Sequence, residues 1–158
     1  MEPLTKRRDR TPLEARILGA GGVIPLVAGV VMAFAAPEPF GFPLVRTTLV
    51  YAAMILSFLG GIHWGFASSA FARNAVELNA PRILGLSVLP PLAGWVALLL
   101  PNTFAAPLLA ACFASVLLLD RATDRLGYAP RWWMRLRIWL TTVVVMLLLL
   151  LSFAAISR

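Results

Sequence analysis

The sequence predicts an all-α protein, a polytopic membrane helix bundle with five transmembrane helices. Three observations carry this reading. First, 60% of the 158 residues are hydrophobic and only 13% are charged, with a mean hydropathy of +0.85. A soluble domain is near half apolar and about a quarter charged, so this excess belongs to a membrane protein. Second, the apolar residues gather in five runs, 16–36, 46–72, 83–100, 103–119 and 138–156. Each is close to the roughly 20 residues that a helix needs to cross about 30 Å of hydrocarbon. Third, the basic residues fall between the runs with a strong sidedness.

The chain divides into a basic N-terminal segment, 1–15, and a single five-helix domain, 16–158. The first run, 16–36, is interrupted by Pro25. With "KRRDR" before it and "AFA" near its end it has some features of a cleaved secretory signal. Its apolar stretch of about 20 residues is too long for a signal core of about 7–15, so it is assigned as a span. "APEPFGFP" (36–43), with three prolines and a glycine, is a loop. The second run, 46–72, is long enough to tilt or project. The third, 83–100, carries Pro90 and Pro91 inside it. "LPN" (100–102) leaves almost no connector, so the third and fourth spans form an antiparallel hairpin. The fourth run, 103–119, ends at Asp120, which closes it at the cytoplasmic boundary. "DRATDRLGYAPR" (120–131) is then the largest loop, with Pro130 in the first turn of the fifth helix.

Orientation follows from the basic residues. Twelve Arg and Lys lie on the side shared by the N-terminus, the 73–82 loop and the 120–137 region, against Arg46 and Arg158 on the other. The positive-inside rule places the N-terminus in the cytoplasm and the C-terminus outside. The short N-terminal segment, with acids among its basic residues, is unlike an Arg-rich, acid-poor transit peptide and points to a bacterial inner membrane. The net charge of +7 therefore marks topology and contact with anionic headgroups, and no nucleic-acid partner is expected. Trp132 and Trp133 open the fifth helix beside Arg135 and Arg137, an arrangement suited to a membrane-interface anchor. Asp120 is positioned to clamp to Arg135 or Arg137 across the loop.

"SFLGGIHWGFASS" (57–69) holds the only histidine of the chain, His63. Every fourth residue from Ala53 is small: Ser57, Gly61, Gly65 and Ser69 follow. Such rows let helix backbones approach closely in lipid, within one chain or between copies. His63 lies about 200° from Gly61 around the helix. It is ten residues from Arg73, while Pro25 is nine from Arg16, and Pro90 and Pro91 are eight and nine from Arg82. At 1.5 Å per residue these depths are about 12–15 Å, near the midplane. A proline frees a carbonyl four residues earlier, and broken helices recur at membrane binding sites. Two readings follow. His63, with Trp64, Ser57, Pro25, Pro90, Pro91 and Trp95, forms either a structural polar contact or a midplane ligand site for a quinone, lipid or haem. No cofactor is called for by the residues themselves. A lone His and the lone Cys112 make neither a disulfide nor a metal site, and no carboxylate is expected at the depth of His63. No catalytic motif is present, so a non-enzymatic protein is expected.

"LGAGGVIPL", "SFLGGIHWG", "SVLPPLAGW", "LLLDRATDRLG" and "PRWWMRLRIWLT", in this order, resemble the transmembrane protein 69-like family, over about Leu18 to Thr142. The resemblance implies a small polytopic protein of a bacterial or mitochondrial inner membrane. It implies no activity and carries over no catalytic residue. The expected function is an accessory, assembly or structural membrane protein, with a membrane-protein partner or a second copy beside it. The alternative is a small transporter or ligand-binding bundle centred on His63.

Overall fold

The computed structural model describes residues 10–35, 43–72 and 79–156. The basic residues Lys6, Arg7, Arg8, Arg73 and Arg158 and the loop 36–42 lie outside these. The described residues form seven helices that make five spans. The first span is α1 (Leu13–Gly21) and α2 (Ile24–Ala35). The second is the unbroken α3 (Leu44–Ala72). The third is α4 (Asn79–Leu86) and α5 (Leu89–Leu98). The fourth and fifth are α6 (Asn102–Arg125) and α7 (Trp133–Ile156). Each span is long and apolar enough to cross a bilayer.

The two interrupted spans break where proline removes a backbone donor. Pro25 sits one residue into α2, and Pro90 and Pro91 open α5. Carbonyls beside each break accept side-chain hydrogen bonds. The Tyr51 hydroxyl donates to the Gly22 carbonyl at 2.9 Å, and the Ser87 hydroxyl to the Leu84 carbonyl at 2.6 Å. In lipid no water does this work, so such bonds must come from the protein.

α3 is the centre of the bundle, in contact with α2, α4, α5 and α6, while α6 and α7 form the most extensive pair. The buried stripe of α3 runs through Ala52, Leu56, Leu59, Gly60, His63, Ala67 and Ala70. The row of small residues is not this stripe. Ala53 is buried, but Ser57, Gly61, Gly65 and Ser69 are exposed, and a Cβ at Gly61 or Gly65 would meet nothing within 4 Å. Close approach within the chain is made one residue away, at Gly60. A Cβ there would lie 2.6 Å from the Ser87 carbonyl oxygen and 2.8 Å from Pro91 Cδ. The reason is geometric. Steps of four advance about 400°, so a row from 53 to 69 drifts about 160° around the helix and leaves the packed face.

The short connector between α5 and α6 is capped by Arg46. Its guanidinium donates to the carbonyls of Leu98 and Leu100. A cation at a helix C-terminus satisfies terminal carbonyls and matches the negative end of the helix dipole.

One boundary differs materially from expectation. α6 does not end at 119 but continues to Arg125, while α7 begins at Trp133, within the Trp132–Trp133 pair expected to open it and ahead of the apolar run 138–156. The polar segment from Asp120 is an amphipathic final stretch of helix. It buries Asp120 and Thr123 and exposes Arg121 and Arg125. Pro130 precedes α7, and its carbonyl accepts from the Trp133 amide at 2.9 Å.

Candidate functional site

Continuation of α6 past residue 119 carries Asp120 into the protein. Its side chain is fully buried, and so is that of His63. The carboxylate is the hub of a polar cluster built from three helices. From α7, Trp133 Nε1 donates to Asp120 Oδ1 at 2.7 Å and Arg137 Nε donates to Oδ2 at 2.9 Å. These two donors stand four residues apart, one turn on the same face of the helix. From α3, His63 Nε2 lies 3.1 Å from Oδ1, a close polar contact and not an aligned hydrogen bond. The other imidazole nitrogen, Nδ1, is 2.8 Å from the Leu59 carbonyl.

A carbonyl only accepts, so Nδ1 carries a hydrogen. The second ring nitrogen, Nε2, faces the carboxylate.

Aromatic rings seal it. Phe66 stands edge-on to His63 with centroids 6.1 Å apart, and edge-on to Trp133 at 5.5 Å. The Arg137 guanidinium carbon lies 5.9 Å from the centre of the Trp133 ring, in cation–π range. Thr123 bonds back to its own helix, at the carbonyls of Leu119 and Asp120.

His63 and Asp120 were not expected to meet, and the depth count explains why. α3 has 29 residues and is about 43 Å long, so its end overshoots the hydrocarbon boundary. Distances measured back from that end exaggerate depth. Asp120 lies five residues inside the end of α6 and Arg137 four residues inside the start of α7, about 6–8 Å. The expectation that no carboxylate reaches His63 is therefore corrected.

The remaining candidates are dispersed. Trp64 and Trp95 are 50% and 61% exposed and face outward, as does Ser57. Pro25 is exposed, Pro90 buried and Pro91 half-buried. The breaks do not converge on His63, since α3 meets them at Tyr51 and at Gly60, nine residues apart. Of the aromatic and basic residues opening α7, Trp132 is half-buried and Arg135 exposed, while Trp133 and Arg137 turn inward to Asp120.

A cavity of about 500 Å³ lies beside the cluster, between α1, α3 and α7. Its walls are mostly apolar, with Tyr51, Ile55, Leu140 and Val144 among them, and it reaches Trp133, Arg137 and Thr141. His63 does not line it. The trace of this site in the sequence was the spacing of Trp133, Arg137 and Thr141, one helical face that a loop reading of 120–131 obscures.

With this geometry in view, comparison with known proteins is informative. Residues 11–154 match the model of a family described as "Protein of unknown function (DUF3429)". The chain belongs to this family. A relative, "Transmembrane protein 69" of Xenopus tropicalis, is 34% identical over 140 residues, covering 85% of this chain and 51% of the relative. The chain thus spans about half the length of that curated relative, and its likeness is to a transmembrane 69-like protein. No solved structure matches. The DUF3429 match includes α1 to α6 whole and nearly all of α7, so the His63–Asp120–Arg137 cluster lies within the family's domain.

Proposed function

We propose that this DUF3429 protein is a non-enzymatic accessory protein of a bacterial inner membrane, with its N-terminus cytoplasmic. The observation that carries the non-enzymatic reading is the mutual engagement of the buried ionisable groups. Asp120 is held by Trp133, Arg137 and His63, and His63 is fully buried with Nδ1 bonded to the Leu59 carbonyl. Groups held this way keep helices in register. The sidedness of Arg and Lys supports the orientation. Exposed Arg131 and Arg135 beside half-buried Trp132 support contact with anionic headgroups on the same side.

The outward row Ser57, Gly61 and Gly65 on α3 supports a helix of another membrane protein, or of a second copy, as the accessory contact. The test is crosslinking and affinity purification from native membranes, with a Gly61→Leu/Gly65→Leu variant in parallel. A membrane protein recovered with the native chain and lost with the variant is the expected result. Reproducible recovery of the chain alone overturns the accessory reading.

A second reading, a ligand-binding bundle, draws on a different observation. The wall of the cavity beside the cluster includes Arg137 and Thr141, each with a buried polar atom that has no partner among the described residues. On this reading the ligand site is centred on α7 and not on His63.

A further inference from the structure

We infer that the cavity between α1, α3 and α7 binds an anionic amphiphile, its acidic oxygen head on Arg137 and Thr141 and its chain against Ile55, Leu140 and Val144. This rests on the ligand-binding reading above and names the chemistry of that site.

The argument starts from two polar atoms. Arg137 is 4% exposed and spends Nε on Asp120, but its Nη2 is buried with no hydrogen-bond partner among the described residues. Thr141 is 2% exposed and its Oγ1 is likewise buried and without a partner. Both residues line the cavity, and they stand one turn apart on the same face of α7. Buried donors left unpaired are costly in any apolar medium.

Thr141 is unusual within its own chain. Thr48, Thr123 and Thr142 each turn the hydroxyl back to the carbonyl four residues earlier, the ordinary way to satisfy a helical threonine. The Thr141 hydroxyl makes no such bond. Guanidinium and hydroxyl thus belong to residues of one cavity wall, and each lacks an oxygen acceptor.

Charge selects the acceptor. The Arg137 guanidinium gives Nε to Asp120 and keeps Nη2. A carboxylate or phosphate oxygen is the partner that a guanidinium binds with charge-assisted bonds. Position selects the rest of the ligand. Arg137 is about 6 Å and Thr141 about 12 Å from the start of α7, a gradient from the headgroup level into the acyl region. The apolar walls continue inward through Leu140 and Val144, and 500 Å³ falls in the usual range of about 300–1,000 Å³ for small-molecule sites. A free fatty acid and an anionic bilayer phospholipid share this chemistry.

The test is tryptophan quenching by 9,10-dibromostearate in a neutral maltoside micelle. The protein carries Phe at the outward positions Trp64, Trp95 and Trp139, leaving Trp132 and Trp133 at the cavity. The expected result is saturable quenching by the acid, weaker by about tenfold or more for its methyl ester. Thr141→Val, which leaves the Asp120 cluster intact, weakens the acid by about fivefold. Equal saturable quenching by acid and ester, both reduced by the cavity-filling Ile55→Phe, overturns the anionic head but keeps the cavity as a ligand site. Quenching that never saturates and ignores Ile55→Phe overturns the ligand-binding reading itself. In neutral nanodiscs, displacement of the acid by phosphatidylglycerol identifies a bilayer lipid as the occupant. Resistance to displacement identifies the free acid, and either outcome supports the proposal.

Discussion

Asp120→Asn is the sharpest perturbation of this molecule. It keeps the shape of the side chain and removes its charge. In the native protein the carboxylate receives Trp133 Nε1 at 2.7 Å and Arg137 Nε at 2.9 Å, with His63 Nε2 at 3.1 Å, and all of this is buried. An amide has one oxygen for these donors, and its NH₂ faces the rest. Removing one partner of a buried ion pair leaves an uncompensated charge, at a cost of about 3–5 kcal/mol. A chain unfolded within a membrane also finds polar partners, which points to the lower end, about 3 kcal/mol. That is a shift of roughly a hundredfold in the folded-to-unfolded ratio. The assay is equilibrium unfolding in mixed micelles, with Arg137→Met and Asp120→Leu/Arg137→Met alongside. Both single variants are expected to lose about 3 kcal/mol, and the double variant to recover to within about 1 kcal/mol of the native protein, because it buries no unpaired charge. Additive losses, or a single-variant loss below about 1 kcal/mol, would refute the cluster as an energetic unit.

Two further outcomes follow from packing. Gly60→Ala forces a Cβ onto the Ser87 carbonyl and Pro91, so it should destabilise by about 1–3 kcal/mol, whereas Gly61→Ala and Gly65→Ala, open within 4 Å, should change stability by less than about 0.5 kcal/mol in the same unfolding assay. Arg46→Met removes the guanidinium from the Leu98 and Leu100 carbonyls, and should cost about 1 kcal/mol and speed amide exchange selectively at the end of α5.

The five spans were legible because membrane insertion is governed by summed hydropathy, which composition reports directly. The breaks were legible because proline lacks a donor wherever it stands, so Pro25 and Pro90 forecast the interruptions before Ile24 and Leu89. The site was much less legible. Asp120 was read as the end of a span because it is the first charge after an apolar run. Helix propagation does not stop at a charge, and a buried carboxylate is tolerated where donors meet it. Seen as helix, 120–125 turns Asp120 and Thr123 to one side, and Trp133, Arg137 and Thr141 form the matching face of α7. The small row on α3 misled for a different reason. Between helices in lipid, apolar burial does not rank faces as it does in water, so small residues alone do not say which face is packed.

The cluster is unequally satisfied, and that inequality separates a clamp from a site. The Asp120 carboxylate accepts from Trp133 and Arg137, one at each oxygen, with His63 Nε2 3.1 Å from Oδ1. A guanidinium offers five N–H donors, and Nη2 of Arg137 has no partner among the described residues although it is buried. A bundle selected only for rigidity gains nothing from an open donor, since an apolar isostere would pack the same space at less cost. The carboxylate fixes where the guanidinium stands by holding Nε. The residue so held also lines a cavity whose wall includes Thr141. Rigidity at Asp120 and open valence at Arg137 are thus two parts of one arrangement, in which the buried pair positions a donor for an acceptor that the chain itself does not supply.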